Sequence, residues 1–140
     1  MATINPYLNF NGNCEEAFNF YKSVFGGEFL SLQRFKEVPA EGQLPADEGE
    51  WIMHVSLPIG YSTILMGSDR PSSMGKATPG DNFYISIQTD NDEETNRLFN
   101  GLSAGGKVTM PLERVFWGAR FGMFVDKFGI QWMINQENNQ

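Results

Sequence analysis

The order of its predicted elements repeats once along the chain, and this repeat constrains the fold more than any other feature of the sequence. The first copy runs as strand, helix, strand and hairpin through "TINPYLNF", "NGNCEEAFNFYKSVFGG", "EFLSLQRF" and "HVSLPIGYSTILM". The second copy runs in the same order through "NFYISIQTD", "NDEETNRLFNGLSAGG", "KVTMPLERV" and "MFVDKFGIQWMIN". Such self-similarity indicates a duplicated supersecondary unit.

Both predicted helices carry start and stop signals. In the first, Asn13 is a candidate N-cap, Glu15 and Glu16 suit the positive end of the helix dipole, and the glycines at 26 and 27 end the apolar face. The second helix also begins with acidic residues and ends at a glycine pair. Each copy is therefore one helix set among strands.

The two copies are expected to need each other. The hairpins turn near Ile59–Tyr61 and over Asp126–Gly129, which makes each copy a strand–helix–strand–strand–strand (βαβββ) module. A module of this size cannot close a core alone. We therefore predict one α+β domain over residues 1–140, with modules at about 1–70 and 80–137. Its curved, eight-stranded mixed sheet would have the helices outside and a concavity inside.

Composition excludes several classes of function. The net charge is −7 and the ten Lys and Arg residues are scattered, which disfavours nucleic-acid binding. No apolar run approaches the ~20 residues that cross a bilayer, and the N-terminus does not read as a signal peptide, so we expect no membrane association and a cytoplasmic location. The single cysteine, Cys14, lies at a helix start, where a thiol pKa can be lowered, although a structural role is favoured.

Three stretches, "PYLNFNGNCEEAFNFYKSVFGG", "MHVSLPIGYSTILMGSD" and "GGKVTMPLERVFWGARFGMFVDKFGIQWMIN", carry a family resemblance. They resemble the vicinal oxygen chelate superfamily of glyoxalases, bleomycin-resistance proteins and extradiol dioxygenases. Within it, the chain is similar to PhnB-like proteins, the demethylubiquinone methyltransferase-type domains. The resemblance implies the paired βαβββ fold, called glyoxalase-like, and a homodimer. The chain has no Gly-rich nucleotide loop after a strand.

The resemblance also implies a divalent metal, held by His and Glu side chains on the first and last strands of each module. The corresponding positions fall at or next to Tyr7, Ile64, Tyr84 and Met133, and none of these residues or their neighbours is His, Asp or Glu. Transition metals need converging N, O or S donors. We therefore predict no metal at this site, and no cofactor.

Tyr7 and Tyr84 occupy matching places in the two modules. Both would point into the concavity if the apolar residues of the first strands pack on the helices, which are Ile4, Leu8, Phe10, Phe83, Ile85 and Ile87. Asn9 and Ser86 would join them. Aromatic walls with a few polar groups are typical of small-molecule sites, but these side chains could equally fill the sheet interior.

The remaining candidates come from the rest of the chain. His54 is the only group with an ordinary pKa near neutrality and is the best candidate for acid–base chemistry, although a structural histidine is the commoner outcome. Arg120 could anchor an anion or form a surface ion pair. Trp117 would lie near the rim. Trp132 alternates with Met133, so one of the two should face the helices and the other the concavity.

Eight residues form the predicted ligand site: Tyr7, Asn9, His54, Tyr84, Ser86, Trp117, Arg120 and Met133. The favoured hypothesis is a metal-independent protein that binds a small apolar or aromatic molecule. The alternative is a lyase or dioxygenase-type enzyme that depends on a metal or on His54, and a dimeric structural module is a third. The sequence leaves open whether any reaction is catalysed.

Overall fold

The computed structural model describes residues 1–37, 46–116 and 118–137 of the chain. These residues form two α-helices and eight β-strands, in two compact units, Met1–Thr78 and Pro79–Gln140. Each unit, here the first unit and the second unit, holds one helix and one four-stranded mixed sheet. The predicted α+β class and the βαβββ order of both modules are confirmed.

The first unit contains five main elements. They are β1 (Tyr7–Phe10), α1 (Cys14–Phe25), β2 (Ser31–Arg34), β3 (Ile52–Ile59) and β4 (Thr63–Asp69). The strands lie in the order β1–β4–β3–β2. β1 runs parallel to β4, whereas the β4–β3 and β3–β2 pairs are antiparallel. The first and last strands are therefore neighbours in the sheet.

The second unit repeats this arrangement. Its elements are β5 (Ile85–Thr89), α2 (Asp92–Ser103), β6 (Lys107–Arg114), β7 (Arg120–Val125) and β8 (Gln131–Gln136). The strand order is β5–β8–β7–β6, again with one parallel pair, β5–β8. Asp126 and Gly129 close the predicted hairpin turn, since the Gly129 amide donates to the Asp126 carbonyl at 3.0 Å. Gly129 adopts a φ of 89°, which favours glycine.

In the first unit, the sheet packs one face against α1. Leu8, Phe10, Val55 and Leu57 are buried on that face. The ring of Phe18 from α1 approaches β4 so closely that a Cβ atom on Gly67 would lie 2.6 Å from it. Only glycine allows this approach, because real Cβ contacts do not fall below about 3 Å.

In the second unit, Phe99 of α2 occupies the equivalent place over the sheet. Its ring meets Phe124 edge to face, with ring centroids 5.1 Å apart. A Cβ atom on Gly122 would lie 2.6 Å from the same ring. Trp132 and Ile134 of β8 complete this buried face. The sequence prediction that either Trp132 or Met133 faces the helix is confirmed, with Trp132 as the residue that does.

Two of the six apolar residues expected on the helix faces are not there. Ile4 is 94% exposed and Phe83 is 56% exposed. Both precede the first hydrogen-bonded residue of their strand, so the alternation of the sequence extends beyond the strand that forms. In the described part of the chain, no helix has the length and apolar character needed to cross a bilayer. The cytoplasmic location stays a prediction.

Candidate functional site

Alternation along the strands of the first unit leaves one sheet face turned away from α1. We call this face the first open face; it is formed by Tyr7, Asn9, His54, Ser56, Met66 and Ser68. The register supports this assignment, because Tyr7 lies level with Met66 and Asn9 level with Ser68. Ser56 is also paired with Met66. Leu8 and Gly67 lie between these residues along β1 and β4, and they face the helix instead.

Tyr7 and His54 meet above the strand that separates them. They lie on β1 and β3, and β4 runs between these strands. The Tyr7 hydroxyl and Nδ1 of His54 are 3.2 Å apart, and the ring centroids are 5.7 Å apart with a tilt of 33°. Tyr7 remains 44% exposed. The pair therefore places two rings and a shared hydrogen bond on a solvent-accessible sheet surface.

Further polar groups surround this pair. Ser56 is buried, and its hydroxyl lies 2.8 Å from that of Ser31 on β2. Asn9 and Ser68 face the same side from the neighbouring parallel strands. The thioether of Met66 supplies a flexible apolar surface among these groups. The first open face thus combines aromatic, apolar and hydrogen-bonding groups, as small-molecule sites do.

The corresponding surface of the second unit has a different chemistry. This second open face consists of Ser86, Gln88, Phe121, Met123, Met133 and Asn135. Ser86 lies level with Met133, and Met133 lies level with Met123. The Asn135 amide nitrogen donates to Gln88 at 3.2 Å. Paired methionines and amides here take the place of the phenol and imidazole of the first unit.

Within the second unit, the predicted site residues differ in their placement. Tyr84 is half-buried and immediately precedes β5, whereas Tyr7 lies within β1, so the two tyrosines do not hold matching strand positions. Ser86, rather than Tyr84, is the residue of β5 that is paired with Met133, just as Tyr7 of β1 is paired with Met66. Trp117 lies outside the described residues.

Arg120 lies on the helix side of its sheet. Its guanidinium donates to Asp92 at 2.9 Å, to Asn96 at 2.8 Å and to Gln136 at 3.0 Å. Asp92 and Asn96 belong to α2, so the side chain points away from the second open face that carries Ser86. The Gln136 amide nitrogen also donates to Asp92, at 3.0 Å. This bond first, and the Arg120 bond next, hold the pKa of Asp92 below its ordinary value. The ion-pair alternative weighed for Arg120 is what the structure contains.

The donor set at the expected metal positions is unsuited to a divalent transition metal. The expected positions hold the phenols of Tyr7 and Tyr84, the aliphatic side chain of Ile64 and the thioether of Met133. The strand pairing adds a thioether beside Tyr7, from Met66, and a hydroxyl beside Met133, from Ser86. Met66, rather than Ile64, is the residue level with Tyr7. Within residues 1–37, 46–116 and 118–137, no three His, Cys, Asp or Glu side chains are grouped to hold a metal. The absence of a metal stays a prediction, which the chemistry of these donors favours.

Cys14 is not an activated thiol. It is fully buried, and its pKa is raised by that burial first, then by the carboxylates of Asp69 and Glu15. The prediction that the helix start could lower the pKa of Cys14 is therefore wrong. Because the thiolate is the reactive form, Cys14 fills space and is not a nucleophile.

A buried carboxylate at the end of β4 is the polar feature that sequence reasoning missed. Asp69 is 2% exposed, and its Oδ1 accepts from the backbone amides of Gly12 and Cys14 at 2.8 and 2.9 Å. Its Oδ2 accepts from the Ile52 amide at 2.9 Å. Asp69 thus joins the start of α1 to the start of β3. A lone Asp at the end of an apolar strand, in "ILMGSD", was the available signal.

Two clefts in the described residues lie away from the Tyr7–His54 pair. One of about 500 Å³ is formed at the start of α1 by Gly12, Asn13, Glu15, Glu16 and Asn19. The other, of about 360 Å³, adjoins the β7–β8 turn and is lined by Pro79, Gly80, Asp81, Val125, Gly129 and Gln131. Neither contains a pair of facing acid–base groups, so the first open face remains the better candidate.

Comparisons with known proteins agree with this architecture. Residues 3–134 match the family model of the glyoxalase/bleomycin resistance protein/dioxygenase superfamily. The Escherichia coli K12 protein YjdN is 35% identical, over 98% of this chain and 97% of its own length.

Two solved structures are also similar. The crystal structure of protein PA1353 from Pseudomonas aeruginosa shares 43% identity with a TM-score of 0.86, over 98% of both chains. A PhnB protein from Bacillus cereus shares 26% identity with a TM-score of 0.78, over 97% of this chain and all of that one. Since the family model covers nearly the whole chain, the protein belongs to the glyoxalase/bleomycin resistance protein/dioxygenase superfamily.

Proposed function

We propose that this chain binds a small apolar or aromatic molecule on the first open face, without the divalent metal usual in the superfamily. The observation that carries the proposal is the Tyr7–His54 pair, whose rings lie side by side on an accessible sheet surface. A ligand ring could pack against Tyr7 and Met66 while its polar atoms meet His54, Asn9 or Ser68. Aromatic packing of this kind contributes about 0.5–1.5 kcal/mol beyond area burial.

His54 provides the direct test, because it is the only histidine in the chain. Its ring signals in a nuclear magnetic resonance spectrum should shift when a small aromatic ligand is titrated into the protein. Tyr7→Leu and His54→Ala should each weaken binding several-fold, since both remove a contacting ring. Lys76→Ala, at an exposed position between β4 and β5, should not change it. Binding that is unaffected by either first-face variant would contradict the proposal.

The metal-free part of the proposal has its own measurement. Elemental analysis of freshly purified protein should find no stoichiometric divalent metal, and ligand affinity should survive treatment with a chelator. Native mass spectrometry of the same sample would report any small molecule that co-purifies. A metal bound one per chain, lost together with ligand binding, would contradict this part.

A second candidate is a lyase-type enzyme dependent on His54. The same hydrogen bond favours it, because an imidazole beside a phenol can take up and return a proton. In that case His54→Gln should abolish turnover, whereas chelators should leave turnover unchanged. A metal-dependent enzyme would instead require donors that the facing strand positions lack, so we do not favour that form of the alternative.

We also propose that the chain forms a homodimer. The edge strand β6 supports this, since seven of its eight residues are exposed. Val108 and Met110 are each 42% exposed, and β6 is the outermost strand of its sheet in the described part of the chain, a position from which strands can pair with another chain. Analytical ultracentrifugation should show a dimer, and Val108→Lys with Met110→Lys should shift it to monomer. A monomeric wild-type protein would contradict this proposal.

A further inference from the structure

We propose that the Tyr7–His54 pair is a hydrogen-bond donor subsite, which selects aromatic ligands that carry an exposed acceptor oxygen such as a phenolate. This inference rests on the proposed function, because it specifies the chemistry of the molecule bound on the first open face. The subsite depends on the proton position between the two residues, on the freedom of the other imidazole nitrogen and on the space available to a ligand ring.

Either ring could donate in the Tyr7–His54 hydrogen bond, depending on the imidazole tautomer, and we assign the proton to Tyr7. A phenol is a better donor and an imidazole a better acceptor, since their ordinary pKa values are about 10 and about 6.5. The Tyr7 hydroxyl therefore donates to Nδ1 across the 3.2 Å contact. A neutral imidazole carries one ring proton, so the proton of His54 is on Nε2.

That Nε2–H group is available to a ligand. Among the described residues, Nδ1 to Tyr7 is the only hydrogen bond or ion pair of His54, and no carboxylate pairs with the ring. His54 is half-buried, and its partner on the neighbouring strand β2 is the exposed Gln33. A donor that is partly shielded from water and has no protein partner discriminates best in favour of a ligand acceptor.

The positions of the rings define the rest of the ligand. With centroids 5.7 Å apart and a tilt of 33°, Tyr7 and His54 are close enough for one planar ring to contact the phenol while its substituent oxygen meets Nε2. Met66 lies level with Tyr7 and adds apolar contact. The subsite therefore takes an aromatic ring with an oxygen acceptor at its edge, and it gives an unsubstituted hydrocarbon ring no polar contact.

Two probes of matched shape test this selection. The affinities of pentafluorophenolate and of pentafluorotoluene, which has no oxygen, are measured by calorimetry at a pH above the pKa of the phenol. We expect the phenolate to bind about tenfold or more tightly, as one charge-assisted hydrogen bond implies. His54→Phe keeps a ring but removes the donor, and should make the two affinities equal. Tyr7→Phe, which removes the hydroxyl that fixes the tautomer, should reduce the preference several-fold.

A nitrogen resonance measurement on ¹⁵N-labelled histidine tests the tautomer directly and needs no assignment, because the chain has one histidine. Protonation at Nε2 in the wild type, with a shift towards a tautomer mixture in Tyr7→Phe, supports the inference. Protonation at Nδ1 overturns it. This measurement keeps the inference testable even if His54→Phe does not fold.

The binding outcomes also separate this inference from the proposed function. Equal affinity of the wild type for both probes overturns the donor subsite and leaves the proposed binding function standing. A phenolate preference that survives in His54→Phe likewise overturns the subsite. Binding of neither probe overturns both. A preference for the phenolate that disappears in His54→Phe supports both.

Discussion

The two units share one topology but hold the starts of their helices by different means. In the first unit the buried carboxylate of Asp69 accepts from Gly12 and Cys14 at the start of α1. In the second unit the N-cap is Asn91, whose side chain accepts from the Glu94 amide at 2.8 Å. Asn13, the candidate cap of α1, makes no side-chain cap bond. The two units therefore share the path of the chain but not the side chains that hold the start of the helix.

The open faces differ in the same sense. The first carries a phenol and an imidazole in contact, whereas the second carries two methionines at adjacent strand positions. Both sheets nevertheless pack an aromatic ring of their helix onto a glycine, Gly67 or Gly122. Packing against the helix is thus common to both copies, and the polar chemistry on the opposite side is specific to one. This asymmetry is why the proposed site lies on the first unit.

The largest expected effect is the loss of the buried carboxylate. Asp69→Ala leaves three backbone amides without their acceptor, of which those of Cys14 and Ile52 are in buried bonds and that of Gly12 in a partly buried one. We expect the free energy of unfolding to fall by about 3 kcal/mol or more, because hydrogen bonds to charged groups contribute most when buried. Urea denaturation measures it. Asp69→Asn, which keeps one acceptor oxygen, should lose less. A loss no larger than that of Asn91→Ala would mean that the two helix starts are equivalent after all.

The next effect tests the shared packing. Alanine at Gly67 or Gly122 would place a Cβ atom 2.6 Å from Phe18 or Phe99, respectively. We expect each variant to lose about 1–3 kcal/mol, as overpacked cores do. Gly67→Ala should lose more, because its Cβ atom would also lie 2.9 Å from the immobile Leu8 carbonyl oxygen.

Gly80→Ala is the control for these two variants. Its Cβ atom would meet nothing nearer than an Asn82 side-chain oxygen at 3.8 Å, so its stability should be unchanged. If the three alanine variants have the same free energy of unfolding, Gly67 and Gly122 are not needed for the close approach of the helices to the sheets.

Much of the fold could be predicted because its signals are local. Strand alternation, helix caps and turn residues repeat in order, and the order alone defines βαβββ modules. The failures lie at strand ends: Ile4 and Phe83 continue the alternation but fall outside the hydrogen-bonded strands. Where a strand stops depends on its partner strand, which local sequence does not contain.

The site was harder to predict because it depends on register. Tyr7 and His54 were both proposed, but their contact crosses an intervening strand and follows from two pairings. The pairing of β1 with β4 also sets Met66 level with Tyr7, which no local sequence pattern specifies. Register also decides the placement of Arg120 and Ser86. Side chains alternate between the two faces of a sheet along each strand, and this puts Arg120 on the helix side and Ser86 on the second open face.

Asn91 permits a smaller test of how the second helix is held. Asn91→Ala removes the side-chain acceptor of the Glu94 amide, on an exposed helix start. We expect the free energy of unfolding to fall by about 1 kcal/mol, which is typical for the loss of an N-cap. Asn100→Ala makes the same chemical change in the interior of α2 and should not destabilise. Equal losses for both variants would exclude a capping role.

The smallest expected effect compares the two arginines that reach a helix start. Arg34 donates to both carboxylate oxygens of Glu15, at 3.0 and 2.6 Å, and this bond lowers the pKa of Glu15 below its ordinary 4.5. A lowered folded-state pKa stabilises the protein above the ordinary pKa, and the stabilisation disappears as the pH falls through the folded-state value.

Arg34→Met should therefore lose about 0.5–1 kcal/mol at neutral pH, a small amount because the pair is partly exposed. The difference from wild type should shrink as the pH falls below 4.5 in a urea series. Lys76→Met, a cation with no ion pair among the described residues, controls for charge and should show neither effect. In the second unit the Gln136 amide is the largest cause of the lowered Asp92 pKa, so Arg120→Met should leave that pKa partly lowered. A carboxyl titration in which Arg34→Met does not raise the pKa of Glu15 would contradict this account, since burial, the next largest influence on that group, raises its pKa.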